Sequence, residues 1–253
     1  MGCEAAREVK HDSEIALTRL EGALGFGGLS ASNFASTVKS FSRKRQVRLK
    51  DLGRLLAAVD LPTGFLAATS CPLFIFYRLH SAKRNFSVSV LGTLGVLLGS
   101  DSPEAKVRVL FNIYDTHSSG KLGPREIYEL TTTACKIALL YIPKYAEMEL
   151  RTLRDLEALQ KHQKLMVRLE KRVLVLAADL NAALLQGEPT LTESQFAVHV
   201  LKHCECLLTA TTLRQHALGL SEEQVAAFVP QQPAGFEPLE VEDSQEDEFE
   251  DED

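Results

Sequence analysis

The chain has 253 residues, 45% hydrophobic and 25% charged, an ordinary globular composition that excludes wholesale disorder, collagen-like repeats and a disulfide-dense mini-protein. The net charge of −6 conceals an imbalance. Eleven acidic residues and no Lys or Arg lie between Glu237 and Asp253, which leaves 28 basic against 23 acidic groups elsewhere, a body of about +5. So dense a block of like charge cannot bury itself and is expected as a disordered acidic tail.

In chain order, removal of Met1 would leave Gly2-Cys3-Glu4-Ala5-Ala6-Arg7. This start resembles an N-myristoylation site followed by a palmitoylatable cysteine, with Ala6 where the strict pattern has Ser or Thr. One myristoyl chain gives only marginal attachment, so a second signal is needed. Cys3 is one candidate. The other is a basic cluster, Lys39, Arg43, Lys44, Arg45, Arg48 and Lys50, six cations within twelve residues. Each such charge is worth about 1 kcal/mol near an anionic leaflet; the plainer alternative is a solvated helix face. Nucleic acid is not expected, because the chain is acidic overall and has no finger, RRM or helix-turn-helix signature. Five scattered cysteines without a secretory signal, and no apolar run of the roughly 20 residues that cross a bilayer, indicate a cytoplasmic protein, peripheral on a membrane's cytoplasmic face where acylated.

Periodicity predicts helices almost throughout: a short one over Asp12 to Leu24, Phe34 to Leu56 with the basic face, a buried one at Pro72 to Leu79, and an apolar one at Leu91 to Leu98 after an extended piece at Phe86 to Val90. Ser102-Pro103 opens a helix carrying Val107, Leu110, Phe111 and Tyr114, and another follows Gly123-Pro124. Tyr145 to Leu185, free of Gly and Pro, reads as one long helix with Leu159, Met166, Val173 and Leu180 at every seventh place. Two heptads fall short of a coiled coil, so packing against the body is expected. Capping boxes Thr192 to Gln195 and Ser221 to Gln224 start two more helices. The fold class is therefore all-α: paired helix-loop-helix units, a long helix and the tail. Its divisions are 1–29 (acylatable segment), 30–143 (a pair of units with one recognisable loop), 144–229 (long helix and degenerate region) and 230–253 (tail).

Between the helices ending at Tyr114 and starting at Pro124 lies Asp115-Thr116-His117-Ser118-Ser119-Gly120-Lys121-Leu122-Gly123-Pro124-Arg125-Glu126. These twelve residues resemble an EF-hand calcium loop. Calcium takes six to eight oxygens, supplied at loop positions 1, 3, 5, 7, 9 and 12. Asp115 stands at 1, Ser119 at 5, Gly120 at the turn, Lys121 at 7 through its carbonyl, and Glu126 at 12. His117 offers nitrogen at 3 and Gly123 no side chain at 9, so the strict pattern is not met and any affinity is low. EF-hands pair, and two segments are candidates for the partner: Phe76 to Val88 upstream, with Lys83 and Arg84 repelling a cation, and Leu184 to Phe196 downstream, with Leu191 ahead of its capping box. From about residue 30 to 215 the layout resembles the neuronal calcium sensor and calcineurin B-like group. That resemblance implies four hands, an acylated start, weak calcium and an apolar groove for a partner's amphipathic helix.

His199, His203 and Cys206, with Cys204 nearby, match no standard zinc spacing. No nucleotide, zinc-protease or hydrolase motif occurs, so no enzymatic activity is expected. The expectation is a non-enzymatic, membrane-associated calcium-binding adaptor, or else a calcium-independent scaffold with degenerate hands.

Overall fold

The computed structural model describes residues 17–61 and 85–228. Gly2, Cys3, the helix expected at Pro72 to Leu79 and the acidic tail lie outside them. The described chain is helical with four very short strands, as an all-α fold requires.

A helical turn over residues 17–23 leads into α1 (Ala31–Phe41), capped by Ser30, whose side chain accepts from Asn33 N. Next come β1 (Gln46–Arg48), α2 (Leu49–Ala58), β2 (Asn85–Ser87) and α3 (Val88–Leu98). Here the basic stretch departs from the helix expected over Phe34 to Leu56. Lys44 and Arg45 take φ of 50° and 61°, a left-handed conformation that an α-helix cannot contain. The chain instead folds back in a two-residue turn, with Arg43 N to Gln46 O at 2.8 Å and Gln46 N to Arg43 O at 2.9 Å. The reversal gains a place in the core for Val47, which pairs with Phe86 in an antiparallel ladder and is fully buried.

The second pair of units repeats the plan. α4 (Pro103–Tyr114), β3 (Lys121–Leu122) and α5 (Pro124–Lys136) form the first helix-loop-helix. α8 (Val173–Leu185), β4 (Leu191–Thr192) and α9 (Glu193–His203) form the second, and Leu122 pairs with Leu191. Of the two segments considered as partner for the 115–126 loop, the downstream one occupies that place. The upstream one contributes β2 to the ladder with β1.

Between the units of this second pair, the single helix expected from Tyr145 to Leu185 is three. A π-helical turn at Ile137–Tyr141 precedes Pro143, which has no backbone N–H to continue a regular ladder, and leads into α6 (Ile142–Leu153). Arg154 ends α6 in the left-handed region, and Asp155 caps α7 (Leu156–Glu170) by accepting from Ala158 N. α7 then folds back along α6. Fully buried His162 donates from Nε2 to the Pro143 carbonyl at 2.8 Å, and burial holds its pKa below the ordinary value. α8 starts afresh after Arg172. It is apolar on almost every face and packs along α5, which explains its burial without a coiled-coil partner. Leu159 and Met166 of the heptad series are only half-buried, so a seven-residue seam is not what the fold uses.

The chain closes with a 3₁₀ turn (Glu205–Leu208), α10 (Ala210–Gly219) and α11 (Glu222–Ala227). One continuous apolar cluster runs from Leu17 to Ala217 through both pairs of units. α3 is its centre, and its two glycines set how close the neighbours come. A Cβ on Gly95 would lie 2.4 Å from the Phe34 ring, and one on Gly92 2.6 Å from Ile113 Cδ1. Polar clamps tie the pairs together. Asp101 Oδ2 accepts from Ser32 N, Ser32 Oγ and Ser30 Oγ, and buried Lys106 donates to the Leu208 carbonyl at 2.9 Å.

The N-terminal turn is held by charge. Arg214, with no exposed side-chain surface, donates to Glu21 Oε1 at 2.6 Å, and Glu21 is itself largely covered. Removing one partner of a buried ion pair leaves a desolvated charge and costs about 3–5 kcal/mol. Glu21→Ala is therefore expected to lose about 3 kcal/mol, the low end because Arg214 also reaches Thr211 Oγ1. Urea unfolding measures this; a loss below about 1 kcal/mol would mean the pair behaves as a surface bridge.

Candidate functional site

The 115–126 loop is built from its first residue. Asp115 ends α4, and its carboxylate turns into the loop. Oδ1 accepts from Ser119 N at 2.8 Å and Ser119 Oγ at 3.1 Å, and Oδ2 from Gly120 N at 2.8 Å. Gly120 has φ of 71° and so provides the reversal that a side chain would strain. Ser119 Oγ also lies 2.9 Å from the Lys121 carbonyl, so its one proton serves that oxygen and Asp115 Oδ1 in turn. The Asp115 carboxylate and the Lys121 carbonyl are thereby both brought within hydrogen-bond reach of Ser119 Oγ, and the three residues stand at positions 1, 5 and 7, where an EF-hand loop presents oxygens.

The remaining expected ligands stand differently. His117 Nδ1 is bonded to its neighbour Thr116 Oγ1 at 2.9 Å. Gly123 offers a backbone N–H to Glu126 Oε2 at 3.0 Å, so the carboxylate at loop position 12 closes the first turn of α5. Among the described residues no three His, Cys, Asp or Glu side chains cluster in metal-holding geometry, and only two carboxylates belong to this loop.

Electrostatics favour an ionised Asp115. Burial works against the charge, and the hydrogen bonds from Ser119 N, Gly120 N and Ser119 Oγ outweigh it, holding the pKa below 3.8.

Position 8 of the loop, Leu122, is fully buried and pairs with Leu191. By the same count, Val47 is position 8 of a loop running from Ser40 to Asp51. The basic cluster thus occupies the matching loop in the first unit: Lys44 stands where Ser119 stands in the other loop, and Arg48 where Gly123 stands. Arg43, Lys44, Arg45, Lys39 and Lys50 are exposed, and Arg45 also reaches across to donate to the Ile113 carbonyl at 2.6 Å. Arg54, a seventh cation, was not legible as part of this group because it lies one helical turn beyond it; its guanidinium sits 5.7 Å from the Phe41 ring.

His199 and His203 stack edge-on with ring centroids 6.4 Å apart, and His199 Nδ1 is bonded to the Leu184 carbonyl. The His199 bond secures α9 against the end of α8. The exposed large apolar residues among the described ones are dispersed: Leu49, Leu153, Leu156, Val167, Leu174 and Val198. The apolar faces of the units are turned into the common core.

In comparison with known proteins, the chain matches no protein-family model, no curated protein and no solved structure.

The hydrogen bonds around Asp115 carry a sign that can be measured. A carboxyl whose pKa is depressed on folding adds stability above its unfolded value of 3.8, and that stability is lost as pH falls through the lower folded value. In NMR titrations the amide protons of Ser119 and Gly120 are expected to shift together with a midpoint below 3.8, and Asp115→Ala to abolish the step. A midpoint above 3.8 would show that burial, not hydrogen bonding, governs this group.

Proposed function

We propose that the chain is a non-enzymatic EF-hand-type adaptor, peripheral on a membrane, whose 115–126 loop takes up one calcium ion weakly. The observation that carries the reading is the convergence of Asp115, Ser119 and the Lys121 carbonyl in a loop whose apolar position 8 is locked to a second loop through Leu191. Asp115, Ser119, Lys121 and Glu126 are the groups that would hold the ion. Two carboxylates set a low affinity, since ligand charge count tunes it.

The chain's own contribution is coupling. Glu126 sits in the first turn of α5, and α5 packs along both α8 and α3. A change in the partner of the Glu126 carboxylate, from Gly123 N to an ion, is therefore felt by the helices at the centre of the core. This is the route by which calcium would alter what a partner protein meets. For the membrane, no helix among the described residues is long and apolar enough to cross one. Attachment then falls to Gly2 and Cys3 and to the basic loop.

Calorimetric titration tests the reading. Heat is expected between micromolar and low millimolar calcium, and Glu126→Gln should abolish it while leaving the melting temperature of the calcium-free protein nearly unchanged. A flat trace for the unaltered chain would leave the calcium-independent scaffold as the function. Gly2→Ala is expected to move the protein from membrane to cytosol in cell fractionation; unchanged partition would exclude acylation as the tether.

A further inference from the structure

The loop of the first unit encloses a recess of about 360 Å³ at the protein surface, lined by Ser40, Ser42, Arg43, Arg48, Asp51 and Arg54, with Phe41 as its apolar wall. Three guanidinium groups face one carboxylate. Asp51 is held by Arg48 Nε at 2.9 Å and lies 4.0 Å from Arg54 Nη1, so it neutralises part of the charge and orients both arginines. Arg43 is exposed beside them, and Lys39, Lys44 and Lys50 surround the opening. The Ser40 and Ser42 hydroxyls already donate to the Thr37 and Lys39 carbonyls, both at 2.8 Å, so recognition falls to the guanidinium groups. α2 begins at this recess with Arg48 as its N-cap and no side-chain cap hydrogen bond, which adds the positive end of a ten-residue helix.

Two further features say that the cations are placed and not merely accumulated. Lys44 and Arg45 occupy both central positions of a turn whose φ values, 50° and 61°, suit Asn-Gly. Left-handed backbone at bulky residues is strained, and strain of this kind persists where surrounding structure enforces it. Leu49, next to Arg48 and Lys50, is the one large apolar side chain exposed in the described part of the first pair of units. An exposed leucine set among cations is the pattern of a surface that meets lipid headgroups above and acyl chains below.

We propose that this loop, whose calcium ligands are replaced by cations, is a binding site for a phosphate-bearing anion, presented by a phosphorylated lipid headgroup on an anionic membrane. Arginine forks match phosphate oxygens in bidentate geometry, and the recess has room for a phosphorylated ring. Leu49 then inserts beside the bound headgroup. The site deepens the membrane-peripheral part of the proposed function and needs neither calcium nor acylation.

The test uses the full chain, unacylated, with calcium chelated, so that its failure is distinct from failure of the calcium or acyl reading. Co-sedimentation compares phosphatidylcholine vesicles containing a polyphosphoinositide with vesicles of equal surface charge containing phosphatidylserine. Preference for the phosphoinositide is expected, with affinity reduced about tenfold or more by Arg43→Gln with Arg54→Gln, since each cation at an anionic surface contributes about fivefold. Leu49→Ser should weaken vesicle binding while leaving binding of free inositol trisphosphate unchanged, which separates the lipid from the soluble phosphate. Lys44→Gly guards against misfolding as an explanation: it relieves the turn, so the melting temperature should rise while vesicle affinity falls. Equal binding to both vesicle types would overturn the site in favour of a diffuse basic patch. Binding to a phosphopeptide but to neither vesicle would overturn the membrane as its source.

Discussion

Everything in this fold hangs on two short antiparallel ladders, Val47 with Phe86 and Leu122 with Leu191. Each is only a few residues long, yet each brings two loops side by side and sends an apolar side chain from both into the core. A lone helix-loop-helix would leave those side chains and the inner faces of its helices in water. Once two loops are joined, the helices they connect must splay around a common interior, and α1, α3, α4, α5 and α8 fill it. The pairing explains how the loop keeps its shape: Leu122 is anchored from outside the loop, so Asp115, Ser119 and Gly120 hold their hydrogen-bonded arrangement on protein contacts alone.

Much of this was legible in the residues and some was not. The helix-loop-helix around Asp115 to Glu126 could be read because its glycine and its apolar eighth residue are local, and α4 and α5 are bounded by Ser102-Pro103 and Gly123-Pro124, which act within one turn. The choice between two partner loops could not be made, because pairing is a long-range preference and both candidates keep an apolar residue at the right place. The break of the expected long helix was hidden for a related reason. Arg154 and Asp155 are acceptable within a helix; only the return of α7 onto α6, with His162 reaching Pro143, makes the reversal worth its cost. The basic stretch misled in the opposite direction. Its polar residues fit a solvated helix face, and the burial of Val47 against the distant Phe86 is what outweighs helix propensity and forces Lys44 and Arg45 into the turn.

The polar residues buried in the core divide by the work they do. Thr93 and Tyr114 share a hydrogen bond at 2.9 Å in a site where burial drives the phenol's pKa upward, so the pair stays neutral and fixes α3 against α4. Arg214 and Arg172 are charged and each meets a glutamate from a distant segment, Glu21 and Glu222. Such pairs add little net stability compared with apolar packing, but they penalise any arrangement in which the partner segment is elsewhere. They therefore specify where the N-terminal turn and α11 lie, and α11 is followed by the acidic end of the chain.

The two loops at matching places in the paired units carry inverse chemistry on the same scaffold. Counted from the ladder, Asp51 and Glu126 occupy the same twelfth position, and both engage partners near the start of the following helix, Arg48 in one and Gly123 N in the other. In the 115–126 loop the interior of the turn is lined by oxygens from Asp115, Ser119 and Lys121. In the 40–51 loop, Lys44 and Arg48 stand at the places of Ser119 and Gly123, with Lys44 exposed to solvent and Arg48 paired with Asp51. A helix-loop-helix whose ladder and helices supply the stability leaves the loop's charge free to change sign. What remains constrained is the eighth residue, buried in both, and a left-handed sixth residue, which Gly120 meets without strain and Arg45 meets only because Val47 is held in place.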